Sequence, residues 1–412
     1  MCIILASPLS SNSFGSPLLL KKLGKFNLIT IIPEQHFIYV LVLTLEEVKD
    51  MRVLVLGAGN VGKAIAYDLS KDFEVWAGDI DLNQLEEVKG YAHPVKIDAS
   101  DFTSLVEKIK GFDLIVGALP GRFGFKTLKA AIEAGVDIVD VSFMPENPLS
   151  LREDAVKANI TAIVDAGFAP GLSNIFLGRI YQEMTPLEEG IIRVGGLPKI
   201  PKPPLYYKIT WSPYDLIEEY TRKARIVRNG EVREVDPLER IWKVRIRDFE
   251  FEEFISDGLR TLIETINANR LEERTLRWPG HLEKMKVLKE LGFFEKENVE
   301  FTLKVISPLM NYESEDFSIM EVYGRGLKNG KEVEIRYFLY DEAKDGFTSM
   351  ARVTGFTAAI VSRIVLKGEC AYGVIPPEIL GMRADTYSKI MKEVKNRGIH
   401  VEVVENASSD NS

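Results

Sequence analysis

Residues 53–62 read VLVLGAGNVG, and this stretch decides the fold. Four apolar residues form a short buried strand, and a glycine loop follows them. Gly57 permits the tight turn out of the strand, Gly59 lets the backbone approach a pyrophosphate, and Gly62 lets the next helix pack closely. The N–H groups of Asn60 and Val61 lie in the first turn of that helix, whose positive dipole end favours an anion. The stretch therefore predicts a dinucleotide site.

A second signal follows at the distance expected of a ribose-binding carboxylate. Residues 73–77 form another apolar run that leads to Gly78 and Asp79, about twenty residues beyond the glycine loop. A carboxylate there accepts hydrogen bonds from the adenosine ribose hydroxyls and repels a 2′-phosphate. We therefore predict NAD as cofactor in preference to NADP. The alternative is an aspartate in a solvated turn.

Two further segments complete the predicted dinucleotide site. Asp98 ends the third apolar run, at a position that lies beside the adenine in doubly wound folds. The fourth run leads into Ala118, Leu119 and Pro120 between two glycines. The small residues of this segment leave room for a dinucleotide that crosses the carboxyl ends of the strands.

Length and composition describe an ordinary globular protein with more than one domain. The chain has 412 residues, of which 46% are hydrophobic and 27% charged, and its net charge is −9. The length suggests two or three domains. The negative charge argues against a nucleic-acid partner and suits a cationic small substrate. Cys2 and Cys370 form no CxxC motif and histidine is scarce, so we predict no metal site. Scarce Gln beside abundant Lys and Glu is one hint of a thermophile.

The first fifty residues differ from the rest of the chain. An apolar run such as residues 37–45 is far shorter than the roughly 20 residues that a membrane span needs. No basic segment precedes residues 2–6, so we expect a cytoplasmic protein without a membrane partner. Met51 stands immediately before the first predicted strand, and the codons of residues 47–49 can form a purine-rich ribosome-binding sequence. We expect residues 1–50 to be an extension that is not translated; the alternative is an extra strand and arm.

Strand and helix signals alternate from Met51 onward. Apolar runs at residues 53–56, 73–77, 95–97, 114–116, 138–141 and 160–164 are separated by helical patterns, which is typical of an α/β, doubly wound parallel sheet. Later strands carry charges and aromatic residues on alternate positions, which indicates a sheet covered on one face. We predict a Rossmann domain over residues 51–172 and a second, α+β substrate domain over residues 173–350. Helices over residues 351–412 are expected to return to the Rossmann domain before a disordered tail.

The polar residues suited to chemistry lie mainly in the predicted second domain. Residues 272–281 form the richest polar stretch. Arg277 is suited to gripping a carboxylate, and His281 is the histidine best placed for acid–base work. Tyr207 and Trp211 are suited to lining a cleft. A salt-bridged surface loop is the alternative for the first stretch, and an aromatic core strand for the second.

Two aspartates follow parallel strands at the edge of the sheet where ligands bind. A carboxylate at Asp140 or Asp165 is placed to contact an ammonium group, although capping of a helix explains each equally well. No nucleophile elbow or Walker sequence occurs. Hydride transfer is therefore the chemistry that the residues favour.

These motifs together resemble the saccharopine dehydrogenase family, and most of all its NAD-dependent lysine 6-dehydrogenase branch. Besides the glycine loop, the resemblance is carried by ALP at residues 118–120, GFAPG at 167–171, GGLP at 195–198, WSP at 211–213, LRWPGH at 276–281 and TGF at 354–356. These segments cover most of the chain from Met51. The family typically has Tyr where Trp278 stands, which is a minor departure.

The resemblance implies oxidation of an amine on a lysine-derived substrate. In the lysine branch the ε-carbon gives hydride to NAD+, the imine is hydrolysed with loss of ammonia, and allysine cyclises to Δ1-piperideine-6-carboxylate. On this reading Arg277 binds the α-carboxylate, Tyr207 and Trp211 wall the aliphatic chain, and one of the two aspartates or His281 manages protons. A homodimer or homotetramer built through the second domain is also implied.

Three alternatives remain open at this point. A saccharopine dehydrogenase or reductase must bind three carboxylates, which clustered cations such as Arg225 would serve. Polyamine-forming enzymes share the family fold. An NAD-sensing regulatory protein also uses a glycine loop with a ribose aspartate, and it performs no chemistry.

Overall fold

The computed structural model describes residues 50–407, together with residues 2–5, 27–31 and 38–43. The three early strands, β1 (Cys2–Leu5), β2 (Asn27–Ile31) and β3 (Ile38–Leu43), form an antiparallel sheet of order β1-β3-β2. The translation start at Met51 stays a prediction. Most of the predicted extension, and residues 408–412 of the predicted disordered tail, lie outside the described residues.

The first large sheet contains seven strands, all of them paired in parallel. Six come from consecutive strand–helix units: β4 (Arg52–Leu56), α1 (Asn60–Leu69), β5 (Glu74–Asp79), α2 (Leu82–Val88), β6 (His93–Lys96), α3 (Phe102–Ile109), β7 (Leu114–Gly117), α4 (Gly121–Ala134), β8 (Asp137–Asp140), α5 (Arg152–Lys157) and β9 (Thr161–Ile163). The seventh is β18 (Gly373–Ile375), and the order across the sheet is β18-β9-β8-β7-β4-β5-β6. This arrangement confirms the predicted doubly wound α/β fold.

Local sequence explains how these units begin and end. The apolar residues of β4 are completely buried because helices cover both faces of a parallel sheet. Asp101 caps α3 by accepting a hydrogen bond from the Ser104 amide at 3.1 Å. Gly135 ends α4 in the left-handed conformation, with φ of 70°, as its position after the helix predicts.

The second large sheet is mixed and has nine strands. With β19 at His400–Ala407, its path runs β12-β11-β15-β10-β16-β17-β19, and a hairpin of β13 and β14 pairs with β15 through β14. The elements of this part are α6 (Leu172–Glu183), β10 (Leu187–Pro198), α7 (Pro213–Thr221), β11 (Ala224–Arg228), β12 (Glu231–Val235), β13 (Trp242–Ile246), β14 (Phe249–Ile255), α8 (Leu262–Thr265), β15 (Ala268–Arg277), α9 (His281–Glu290), α10 (Val299–Ile306), β16 (Asp316–Lys328) and β17 (Lys331–Glu342). The pair β10–β15 is parallel and the other pairs are antiparallel.

The end of the chain joins both sheets. Its elements are α11 (Ser349–Leu366), α12 (Pro377–Met382), α13 (Ala384–Asn396) and β19 (His400–Ala407). A Cβ atom at Gly355 of α11 would lie 2.8 Å from the Ala64 Cβ of α1, so glycine lets this helix pack closely on the Rossmann domain. The predicted helical return is confirmed, but β18 extends the first sheet and β19 pairs with β17 of the second.

Helix α11 is by length and composition apolar enough to cross a membrane, yet 78% of its apolar window is buried inside the protein. Its Thr348 cap precedes the TGF segment by six residues, so Thr354 and Gly355 lie inside the helix. The apolar character of α11 is accounted for by its place in the core between the two sheets.

Candidate active site

One cavity of about 780 Å³ is lined by both large domains. The carboxyl ends of the parallel strands β4, β5 and β7 and the loops that follow them form one side. Strands β10 and β15 and helix α7 form the other. The cavity therefore lies at the edge of the doubly wound sheet where such folds bind ligands.

The glycine loop has the geometry of a dinucleotide cradle. Gly57 has φ of 99°, and its N–H donates to the Gly78 carbonyl at 2.7 Å. A Cβ atom at Gly62 would overlap the Gly57 carbonyl oxygen, whereas one at Gly59 would meet no atom within 4 Å. Gly59 thus faces open space in front of the α1 N-terminus, where Asn60 and Val61 also line the cavity. A pyrophosphate fits this space.

Asp79 is held beside this loop by two backbone amides. Its Oδ2 atom accepts from the Ala58 amide at 2.7 Å, and its Oδ1 atom accepts from the Asp81 amide at 2.9 Å. Asp98 lines the same end of the cavity, and hydrogen bonds from Ser100 hold the pKa of its carboxyl below the usual value. The predicted cofactor residues 118–120 also line the cavity. All predicted cofactor residues are therefore brought together.

The second domain contributes the opposite side of the cavity, which we call the substrate wall. It consists of Tyr207, Trp211, Asp215, Glu219, Glu273 and Arg277. Asp215 and Glu219 are one turn apart on α7, and Glu273 and Arg277 are four residues apart on β15, so each pair shares a face. Burial raises the pKa of all three carboxyl groups.

Arg277 is held in the substrate wall by three of its five N–H groups. Its Nε donates to the Tyr220 hydroxyl at 3.0 Å, its Nη1 to the Leu276 carbonyl at 3.0 Å, and its Nη2 to the Glu219 carboxylate. The guanidinium lies 4.7 Å from the centroid of the Tyr207 ring. It is 2% exposed and lines the cavity. Its remaining donors are of the kind that bind a carboxylate, and the predicted contact with a substrate carboxylate stays a prediction.

His281 does not reach the cavity, and we correct its predicted acid–base role. The ring is completely buried; its Nδ1 lies 2.6 Å from the Leu205 carbonyl oxygen and its Nε2 lies 2.9 Å from the Tyr220 hydroxyl. Burial and the Arg277 charge lower its pKa to about 3. A neutral ring that donates to Leu205 and accepts from Tyr220 orients that tyrosine toward Arg277.

Asp140 and Asp165 lie behind the cavity and do not line it. Asp140 accepts from the Ser142 amide at 2.8 Å and from the Ser142 hydroxyl at 2.5 Å, and burial raises its pKa to about 6. Asp165 is paired with Arg260 at 3.3 Å, and both side chains are buried. Neither carboxylate contacts the space for a substrate, so we reassign both from proton transfer to support of the surrounding loops.

Arg225 is likewise outside the cavity, which corrects its predicted substrate contact. Its Nε lies 3.1 Å from the carboxylate of Asp257, and neither residue lines the cavity. Among the described residues, no group of three or more His, Cys, Asp or Glu side chains is arranged to hold a metal ion.

The sequence interpretation missed the three acids of the substrate wall. The spacing of these residues could have revealed them. Asp215 and Glu219 are four residues apart, which places them on one face of a helix, and Glu273, Thr275 and Arg277 are two residues apart, which places them on one face of a strand. The sequence interpretation treated residues 272–281 as one polar stretch and did not use that alternation.

The cradle, the aspartate beside it and the facing polar wall are the features of a dinucleotide-binding protein with a second, ligand-binding domain. Two family models match the chain: the saccharopine dehydrogenase NADP binding domain over residues 53–163 and the saccharopine dehydrogenase C-terminal domain over residues 167–399. The chain belongs to the saccharopine dehydrogenase family.

Individual relatives are distant. The chain is 26% identical over 295 residues to alpha-aminoadipic semialdehyde synthase of Arabidopsis thaliana, a match that covers 61% of this chain and 28% of that protein. It is 24% identical over 273 residues to the NADP(+), L-glutamate-forming saccharopine dehydrogenase of Pyricularia oryzae, covering 62% and 60%. The chain thus matches less than two thirds of the length of either protein.

A solved structure shows the same fold. The apo saccharopine dehydrogenase (L-Glu forming) from Saccharomyces cerevisiae superposes with a TM-score of 0.72 at 20% identity, covering 87% of this chain and 100% of that chain.

Proposed function

We propose that the protein oxidises the ε-amine of L-lysine with NAD+, giving allysine, ammonia and NADH. The observation that supports this choice is the charge of the substrate end of the cavity. Asp215, Glu219 and Glu273 line it together with two cations, Arg277 and Arg122. Three carboxylates against two guanidinium groups suit a substrate with two ammonium groups and one carboxylate. They disfavour saccharopine, which carries three carboxylates.

The residues of the cavity supply binding and orientation for this reaction. The glycine loop and Asp79 would hold NAD+, which would supply the hydride acceptor for the ε-carbon. Arg277 binds the α-carboxylate through its free N–H groups, and Tyr207 and Trp211 flank the aliphatic chain. The Trp211 Nε1 donates to the Tyr207 hydroxyl at 3.2 Å, so the two rings are held together.

We propose NAD+ as the cofactor although the relative from Pyricularia oryzae is named for NADP(+). The adenine end of the cavity is lined by Asp79, Ile80, Gln84 and Asp98, and no cation occurs among these residues. Arg122 lies 5.4 Å from the ring centroid of Tyr214 and thus faces α7. A 2′-phosphate would meet carboxylates instead of a basic side chain, and its binding is disfavoured.

Initial rates test the proposal directly. The purified protein is mixed at alkaline pH with L-lysine or saccharopine and with NAD+ or NADP+, and nucleotide reduction and ammonia are measured. We expect reduction with lysine and NAD+, with one ammonia per NADH. An Arg277→Ala protein purified in the same way controls for contaminating dehydrogenases and is expected to lose most of the rate.

The names of the relatives favour saccharopine oxidation as the second candidate. Nucleotide reduction with saccharopine and none with lysine would select it. No turnover with either substrate would contradict both candidates.

A further inference from the structure

Glu273 belongs to the face of β15 that lines the cavity. Thr275 and Arg277 follow it at intervals of two residues and line the cavity as well. Glu272 and Arg274 point to the opposite side of the sheet, where they pair with each other at 2.6 Å. The alternation of the strand thus separates an ion-pair network on one face of the sheet from a carboxylate that faces the cavity on the other.

The carboxyl group of Glu273 is held by neutral hydrogen-bond donors. The Ser256 hydroxyl donates to its Oε2, and the Ser256 hydroxyl lies 2.6 Å from that of Thr275. Of the other two acids, Glu219 is paired with Arg277, and Asp215 accepts from the Gly121 amide at 3.2 Å and lies near the charge of Arg222, which favours its ionised form. Glu273 has no cationic partner among the residues that the structure describes, and it is 4% exposed.

The charges nearest Glu273 come from helix α7 and from the segment that follows β14. Glu219 on α7 is paired with Arg277, and Asp257 after β14 is paired with Arg225. The Gly258 backbone packs so closely that a Cβ atom there would lie 2.5 Å from the Glu273 carboxyl carbon. Burial, followed by the charges of Glu219 and Asp257, raises the pKa of Glu273 to about 8, against the lowering by Ser256.

A buried carboxylate without a cation is costly unless a ligand supplies the missing charge. We infer that Glu273 binds the reacting ammonium group of the substrate and accepts its proton before hydride transfer. This inference rests on the proposed amine oxidation. It assigns a catalytic residue that neither the sequence motifs nor the comparisons indicate.

The proton transfer balances with the proposed reaction. One N–H bond of the ε-ammonium breaks, and the proton forms an O–H bond on the Glu273 carboxylate, leaving a neutral amine. The ε-carbon then loses hydride, with two electrons, to NAD+, and a water molecule hydrolyses the iminium to aldehyde and ammonium. The Ser256 and Thr275 hydroxyls, both at the cavity surface, connect Glu273 with cavity water for return of its proton.

The test is the pH dependence of kcat/KM in Glu273→Gln. In wild type, kcat/KM is expected to fall below about pH 8, because Glu273 becomes protonated there. This fall is the acid limb of the pH profile. Without this base only the free amine reacts, so the limb of the variant should move to the amine pKa of ~10.4. The expected loss is about 100-fold at pH 8, within the usual range for a general base. The two rates should converge above the amine pKa.

Two further variants separate catalysis from structure. Glu272→Gln changes the neighbouring side chain on the opposite face and should leave the acid limb at its wild-type position. Ser256→Ala removes a donor that lowers the pKa of Glu273, so its limb should rise above pH 8. An unmoved limb in Glu273→Gln, with lysine still oxidised, would overturn the inference and leave the proposed function intact.

Binding provides a readout that needs no turnover. Lysine binding is followed by calorimetry at pH 7.5 in buffers of different ionisation enthalpy. Binding of the lysine ammonium to wild type should release about 0.8 proton, the protonated fraction of a group with pKa about 8. Glu273→Gln should bind the same ammonium, which it cannot deprotonate, and release none. Equal proton release by both proteins would contradict the assignment. If saccharopine proves to be the substrate, its secondary ammonium replaces lysine in both experiments.

Discussion

Replacing Asp79 with alanine is expected to raise the dissociation constant of NAD+ about 100-fold. The carboxylate is held by the Ala58 and Asp81 amides at 2.7 and 2.9 Å, so it is already oriented for ligand binding. A hydrogen bond to a charged group contributes about 1.5 kcal/mol at the lower limit. Two ribose hydroxyls therefore contribute about 3 kcal/mol, and each 1.4 kcal/mol is about tenfold in affinity.

Titration calorimetry with the apo protein measures this change. Asp81→Ala is the matched control, because Asp81 caps α2 through the Asn83 amide at 2.8 Å and does not line the cavity. It should cost about 1 kcal/mol of stability and leave NAD+ affinity unchanged. An Asp79→Ala protein that is folded and binds NAD+ as tightly as wild type would refute the reasoning, as would equal losses in both variants.

Three further predictions concern the cradle, the substrate and pH. Gly59→Ala should weaken NAD+ binding at least about tenfold and change stability little, because its Cβ would point into the open space of the cradle. Gly62→Ala should instead destabilise the protein without NAD+ by about 2 kcal/mol or more, because its Cβ would overlap the backbone of Gly57. Titration with NAD+ measures the first effect, and thermal unfolding measures the second. Arg277→Lys should raise KM for lysine about tenfold and leave KM for NAD+ unchanged, and equal effects would contradict carboxylate binding. Burial raises the pKa of Glu378 to about 7, so wild type loses stability as pH rises from about 4.5 to 7. In urea unfolding, the free energy of unfolding of Glu378→Gln should therefore exceed that of wild type by up to about 3 kcal/mol at pH 8 and show no such gain at pH 4.5. A difference between the two proteins that does not change with pH would contradict the burial argument.

The parts of the fold that sequence predicts well depend on local patterns. Strands β4 to β9 follow from apolar runs because a parallel sheet buries both faces of each strand. Strand β18 has three residues and pairs with β9, whose residues lie about 210 positions earlier in the chain. No local pattern distinguishes so short a strand from a loop.

The same distinction explains the outcome at the site. The cradle and Asp79 are predictable because one strand, one turn and one helix fix their spacing. The orientation of His281 depends on contacts with Leu205 and Tyr220, which lie 76 and 61 residues away in sequence. Composition marked the histidine as reactive, but tertiary packing places it in the core and leaves Glu273 at the cavity.

Transfer of label from lysine to the cofactor tests the central claim most directly. The protein is incubated with NAD+ and lysine that carries deuterium on both hydrogens of the ε-carbon, and the NADH formed is analysed by mass spectrometry. Oxidation at the ε-carbon predicts NADH that is heavier by one deuterium, with ammonia formed in equal amount. Unlabelled NADH from this substrate, or deuterium transfer only from lysine labelled at the α-carbon, would contradict the account.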